Sequence, residues 1–133
     1  MKRVMVAGTF DIFHLGHEYF LKEARKFGDE LIVVIARDEN VLRIKGKKTK
    51  NSEDKRLNKV LESGLADRVV LGNKGNIFNI IEEIKPDVIC LGYDQPIDES
   101  KLKLEIENRN LIIQIVRLSA FKPEIYKSSL MKE

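Results

Sequence analysis

Five short apolar runs recur along the chain: RVMVAG (3–8), ELIVVIAR (30–37), RVVLG (68–72), DVICLG (87–92) and LIIQIVR (111–117). Each is continuous rather than alternating, which is the pattern of strands covered on both faces, as in a parallel sheet. Segments of helical period lie between them. HEYFLKEARKFG (17–28) sets Tyr19, Phe20, Ala24 and Phe27 along one side and reaches Gly28 as a stop. SEDKRLNKVLESG (52–64) offers Ser52 as N-cap, Leu57, Val60 and Leu61 as the apolar stripe, and Gly64 as its end. NIFNIIEEIKP (76–86) starts at Asn76, carries Ile77, Ile80, Ile81 and Ile84, and is ended by Pro86. DESKLKLEIENRN (98–110) has Asp98 as cap, with Leu102 and Ile106 inward. Strand alternating with helix predicts right-handed crossovers and an α/β fold with a doubly wound, mostly parallel five-stranded sheet flanked by helices.

A chain of 133 residues is expected to form one domain, residues 1–133, with a core of its own. Lys and Arg number 24 against 21 acidic residues, a net charge of +3, too mild to announce a nucleic acid as partner. The single cysteine, Cys90, sits inside an apolar run and reads as a buried strand residue, which favours a reducing, cytoplasmic setting. No apolar stretch approaches the roughly 20 residues that cross a bilayer, so no membrane association is expected. The N-terminal MKRVMVAG turns to Gly and Thr too early for a signal peptide. One stretch departs from the rhythm. DENVLRIKGKKTKNS (38–52) reads as an unusually long connection, with Lys45, Lys47, Lys48 and Lys50 clustered about Gly46.

The chemistry concentrates in VAGTFDIFHLGH (6–17), where the first strand ends. Ligands of open parallel sheets bind beyond the carboxyl ends of the strands, so the position itself favours function. Gly8 allows a close backbone approach or a positive φ, and the N–H groups of Thr9 and Phe10 can then face an anion. The next helix starts near Gly16, and its N-terminus offers a phosphate seat. His14 and His17, on either side of Gly16, can share one face there and donate hydrogen bonds to charge growing on a phosphoryl group. Surface histidines and a zinc site are the competing readings. For zinc, Asp11 is the only close carboxylate and no third and fourth ligands are evident. Neither GxGxxG nor GxxxxGK[ST] is present, which sets aside P-loop and ordinary dinucleotide chemistry.

GTFDIFHLGH resembles the GxFDxxHxGH signature of the cytidylyltransferase-like nucleotidyltransferases, and the resemblance runs over essentially the whole chain. Within that superfamily, GDELIVVIARDENV, KGKK and LGYDQ look most like the archaeal FAD synthases, and the chain is also similar to glycerol-3-phosphate cytidylyltransferases. The resemblance implies the Rossmann-like fold of HxGH enzymes. It also implies attack of an acceptor phosphate oxygen on the α-phosphorus of a nucleoside triphosphate, with pyrophosphate leaving. Catalytic roles fall by resemblance to His14, His17 and Lys45. Nucleotide contacts fall to Thr9, Phe10, His14, Leu15, Gly16, His17, Lys47 (or Lys48), Arg56, Asp94, Tyr126 and Ser128. For Arg56 the alternative is a solvent-facing helix arginine, and for Asp94 an Asp-Gln-Pro turn; Gln95, beside it, offers a donor and an acceptor suited to ribose or base.

The C-terminal AFKPEIYKSSLMKE departs from the RTxGISTT-like motif of cytidylyltransferases. Tyr126, Lys127, Ser128 and Ser129 stand in the equivalent place without an arginine, which argues against CTP chemistry. The resemblance to the FAD synthases implies transfer of AMP from ATP to FMN, with a divalent cation such as Mg²⁺ bound with the triphosphate, in a homodimer. A CTP-dependent glycerol-3-phosphate cytidylyltransferase and a catalytically inactive nucleotide-binding module are the alternatives. No residue of the chain is expected to be a dedicated metal ligand.

Overall fold

The computed structural model describes residues 1–92, 95 and 97–119. Asp94, Tyr126, Lys127, Ser128 and Ser129 lie outside the described residues. The strands are β1 (Arg3–Gly8), β2 (Glu30–Ile35), β3 (Arg68–Leu71), β4 (Val88–Leu91) and β5 (Gln114–Arg117). The helices are α1 (Leu15–Arg25), α2 (Asp38–Lys45), α3 (Glu53–Glu62), α4 (Ile80–Ile84) and α5 (Glu99–Asn108), and a 3₁₀ turn at Ile77–Asn79 leads into α4. The sheet is entirely parallel in the order β3-β2-β1-β4-β5. This is the doubly wound architecture expected of continuous apolar strands. Its order reverses at β1, so the switch point lies between β1 and β4.

Because strand residues alternate between faces, each run serves two cores. Val4 and Val6 of β1, with Leu31, Val33 and Ile35 of β2, face α1 and α3 through Leu21, Ala24 and Val60. Met5, Ile32, Val34, Ile89 and Leu91 face the other way, onto Ile80, Ile81 and Ile84 of α4 and Leu102 and Ile106 of α5. Cys90 is a free, buried thiol as expected, and its desolvation pushes its pKa up to about 11.

Several expectations change. Residues 38–45 are helix, not an extended connection: Asp38 and Glu39 open α2, Arg43 and Lys45 close it, and Gly46 caps it at φ +72°. The lysine-rich segment is thereby shortened to the turn 46–52. Gly28 is not a left-handed helix stop, since α1 ends at Arg25; a β-carbon there would lie 2.7 Å from Val4 Cγ2 and 2.8 Å from the Lys2 carbonyl oxygen. Glycine is needed because helix end and strand start nearly touch. On α1 the inward positions are Leu21 and Ala24, whereas Phe27 is exposed, and on α3 Leu61 points outward. The predicted strands at 30–37 and 111–117 are trimmed to Glu30–Ile35 and Gln114–Arg117.

The caps at Ser52, Asn76 and Asp98 form as expected, each side chain accepting from a backbone N–H in its first turn. Gly64 follows α3 at φ +71°. Gly28→Ala is expected to lower stability by about 1–3 kcal/mol, as overpacking of close-packed cores does, read as a fall in Tm or in the denaturant midpoint.

Candidate active site

The turn that leaves β1 is held in a conformation a bulky residue rarely adopts. Phe10 has φ +50°, and its buried ring packs over Gly8, where a β-carbon would lie 2.8 Å from the ring. Gly8 is therefore small to admit Phe10, and the positive φ falls on Phe10 instead. Beyond it His14 takes extended backbone and caps α1. Its Nδ1 accepts the Gly16 N–H at 3.0 Å, while its own N–H donates to His17 Nδ1 at 3.3 Å.

This reciprocal capping box has a chemical consequence. A neutral imidazole with Nδ1 as acceptor carries its proton on Nε2, so both histidines have Nε2 as the donor. The two rings stack with centroids 4.0 Å apart, and Phe13 stacks on His17 at 5.6 Å while Phe10 meets it edge-on at 5.1 Å. Two donors are thus fixed at a helix N-terminus, where unpaired N–H groups and the helix dipole attract anions. Leu15, the half-exposed first residue of α1, stands at the same turn, where the Gly16 N–H is already taken by His14.

Lys45, the last residue of α2, donates to Thr9 Oγ1 at 3.0 Å. A cation from the helix that follows β2 is in this way brought against the β1 turn. Lys47 lies exposed in the turn after Gly46. Arg56 is neither a surface arginine nor an open contact: it is fully buried on α3. Its guanidinium donates to the Thr9 carbonyl (2.9 Å), the Asn51 carbonyl (3.1 Å) and the Asp38 carboxylate (2.6 Å).

Four supporting residues escaped the sequence reading. Asp11 accepts the N–H groups of Lys50 (2.8 Å) and Asn51 (2.9 Å), and Asn51 Nδ2 donates back to the Asp11 carbonyl at 2.7 Å. Asp38 and Glu53 cap each other's helices: the Glu53 carboxylate accepts the Asp38 N–H at 2.8 Å, and Asp38 accepts the Glu53 N–H at 3.1 Å. The signal for Asp11 lay in the "FD" of the motif itself. Asp38 and Glu53 each stand at the acidic first turn of a helix, α2 and α3, but their pairing is a tertiary contact without a local pattern.

Burial works to raise the Asp11 carboxyl, but hydrogen bonds from the Lys50 and Asn51 amides, the Asn51 side chain and the Arg56 charge hold it below the ordinary range. At Asp38 burial again raises, and Arg56, the Glu53 amide and Thr49 together pull the carboxyl down further. Among the described residues no three His, Cys, Asp or Glu side chains come together as a metal cage. Asp11, three residues before His14, is engaged with backbone amides. Nor is any described helix long and apolar enough to cross a membrane.

Residues 5–133 match the family model described as cytidylyltransferase-like. The chain belongs to the cytidylyltransferase-like family. Among curated members, it is 43% identical to the FAD synthase of Thermoplasma volcanium over 133 residues, covering 100% of this chain and 93% of that one. It is 47% identical to the FAD synthase of Aciduliprofundum boonei over 122 residues, covering 91% and 80%. A solved structure titled as a lipopolysaccharide core biosynthesis protein from Thermoplasma volcanium superposes with TM-score 0.86 at 45% identity, covering 92% of this chain and 99% of that one. The parallel sheet and HxGH turn described above are thus the fold and motif of a nucleotidyltransferase.

Replacing Arg56 by Met would leave the Thr9 and Asn51 carbonyls and Asp38 without their donor. A loss of about 3 kcal/mol is expected, measured by urea unfolding. Because the Asp11 and Asp38 carboxyls sit below their ordinary value of 3.8 in the fold, their contribution is present above that pH and is lost as pH falls through the folded-state values. Tm should hold steady above about pH 5 and drop below about pH 4, with a shallower drop in Asp11→Asn.

Proposed function

We infer that the protein is an FMN adenylyltransferase, an FAD synthase: ATP and FMN give FAD and pyrophosphate. A phosphate oxygen of FMN attacks the α-phosphorus of ATP. The new P–O bond joins the two nucleotides as the bond from the α-phosphorus to the bridging oxygen breaks, and that oxygen leaves with pyrophosphate. The observation that carries this reading is the His14–His17 pair, whose Nδ1 atoms accept backbone N–H groups and so make both Nε2 atoms donors at the start of α1. The curated relatives named FAD synthase, at over 40% identity across most of the chain, support ATP and FMN as the substrates.

In this reading His14 and His17 donate to the α- and β-phosphate oxygens and to the charge that develops there. The N–H groups of Thr9, Phe10 and Leu15 line the same seat, Gly16 keeps it clear of a side chain, and Lys45 and Lys47 neutralise the triphosphate. Arg56 serves the nucleotide through the Thr9 carbonyl rather than by direct contact. Asp94, Tyr126 and Ser128 keep the roles that the family resemblance implies. Phosphoryl transfer of this kind needs positioning and charge neutralisation more than covalent help from the protein. A divalent cation, Mg²⁺ in this reading, would arrive with ATP and offset the charge of the triphosphate oxygens. The family resemblance extends the reading to a cytoplasmic homodimer with no membrane or nucleic-acid partner.

The test is product identification. Purified protein with ATP, FMN and Mg²⁺ is expected to release pyrophosphate and form FAD, while CTP with glycerol 3-phosphate gives no turnover; the reverse outcome would sink the reading. His14→Ala and His17→Ala should each lower kcat by about 10²–10³-fold with an unchanged circular dichroism spectrum.

A further inference from the structure

The sheet does not part evenly at its switch point. β1 pairs with β2 through six residues, from Arg3↔Glu30 to Gly8↔Ile35, and β4 pairs with β5 up to Leu91↔Arg117. Between β1 and β4 the ladder stops after Val4↔Val88 and Met5↔Ile89. Carried on at that register, Gly8 would stand opposite Gly92, and in a parallel ladder the Gly92 N–H would donate to the Ala7 carbonyl. A side chain stands between those two groups instead. Gln95 Oε1 accepts the Gly92 N–H at 3.1 Å, and Gln95 Nε2 donates to the Ala7 carbonyl at 3.0 Å. One primary amide, with its donor and acceptor on the two ends, satisfies both strand groups while holding them apart.

The segment after β4 is clasped from its other side as well. Arg117, at the end of β5, donates from one guanidinium nitrogen to the Gly92 carbonyl (2.7 Å) and the Gln95 carbonyl (2.8 Å). From the other it pairs with Glu99 in the first turn of α5 at 2.9 Å. The Gln95 N–H donates to the Gly92 carbonyl, so the backbone from which the amide projects is itself anchored.

We propose that Gln95 is a positioning residue: its amide is a wedge in the β1–β4 ladder that keeps the crevice beside the Gly8–Thr9 turn open for the nucleoside triphosphate. Arg117 holds the wedge in register. Gln95 therefore does not read base or ribose, as its place in LGYDQ first suggests; both ends of its side chain are engaged with strand backbone. Removing the wedge allows Gly92 and Ala7 to bond directly, which narrows the crevice at little cost to folding. The proposal rests on the triphosphate-binding reading above but not on the identity of the acceptor.

The experiment compares wild type, Gln95→Ala and Gln95→Glu. Glu keeps the shape and the acceptor but sets a carboxylate oxygen against the Ala7 carbonyl in place of the N–H. In both variants the KM for ATP is expected to rise about tenfold or more, with the KM for FMN within about twofold and kcat within about threefold of wild type. Tm of Gln95→Ala should stay within about 2 °C of wild type, a result that a merely structural glutamine would not give. Titration calorimetry with ATP and Mg²⁺ alone should show the same weakening, so an acceptor other than FMN would change the turnover arm and leave this arm standing. An ATP affinity within about twofold of wild type in both variants, parallel rises in the two KM values, or failure of Gln95→Ala to fold would overturn the wedge.

Discussion

The Arg56 guanidinium is the interaction on which the rest of the site depends. It comes from α3, is completely buried, and draws together three segments that share no secondary structure: the turn after β1 at Thr9, the start of α2 at Asp38, and the approach to α3 at Asn51. A buried cation without partners would cost several kcal/mol, so such a group is tolerable only where acceptors are fixed around it. Here they are fixed by other bonds. Glu53 and Asp38 cap each other's helices, Arg37 pairs with Glu53 at 3.0 Å, and Asp11 grips the Lys50 and Asn51 amides. Two of these acidic groups, Asp38 and Glu53, are paired with arginines. Lys45, Lys47, Lys48 and Lys50, by contrast, are left exposed.

Most of the fold was legible because burial on both faces leaves a composition signal that needs no tertiary knowledge. Val4, Val6, Val33 and Ile89 had to be apolar whichever face they served, so each run declared itself whole. Ser52, Asp98 and Gly64 were readable for a related reason: caps and left-handed ends are local solutions to unpaired backbone groups. Helix α2 was missed although Asp38, Glu39, Arg43, Lys45 and Gly46 carry start and stop signals, because the lysines around Gly46 drew the reading toward a loop. Gly28 failed for the opposite reason. Its requirement comes from Val4 and the Lys2 carbonyl, neighbours in space that no spacing rule reaches.

In the site the same division holds. His14, Gly16 and His17 are within one helical turn of each other, so their capping geometry is a local matter and the motif announces it. Lys45 meets Thr9 across 36 positions, and Arg56 meets the Thr9 carbonyl across 47; these pairings exist only because β1 and β2 are neighbours in the sheet. The Gln95 amide reaches across 88 positions to Ala7 and is further still from local inference. Residue type alone could suggest that Gln95 hydrogen-bonds something; which groups it serves depends on where the β1–β4 ladder stops.

Phe10 joins these local and distant features into one device. A bulky residue at positive φ carries a cost of about 1–3 kcal/mol, and it persists only where the surroundings over-determine it. Two neighbours do so here: Gly8, whose missing β-carbon makes room for the ring, and His17, whose ring meets it edge-on. Arg56 holds the Thr9 carbonyl, and Asp11, on the other side of Phe10, is tied to Asn51, so the backbone cannot relax by swinging away. The strain at Phe10 is therefore coupled to the orientation of His17. A change at Gly8 would act on the imidazole two contacts away, through the Phe10 ring.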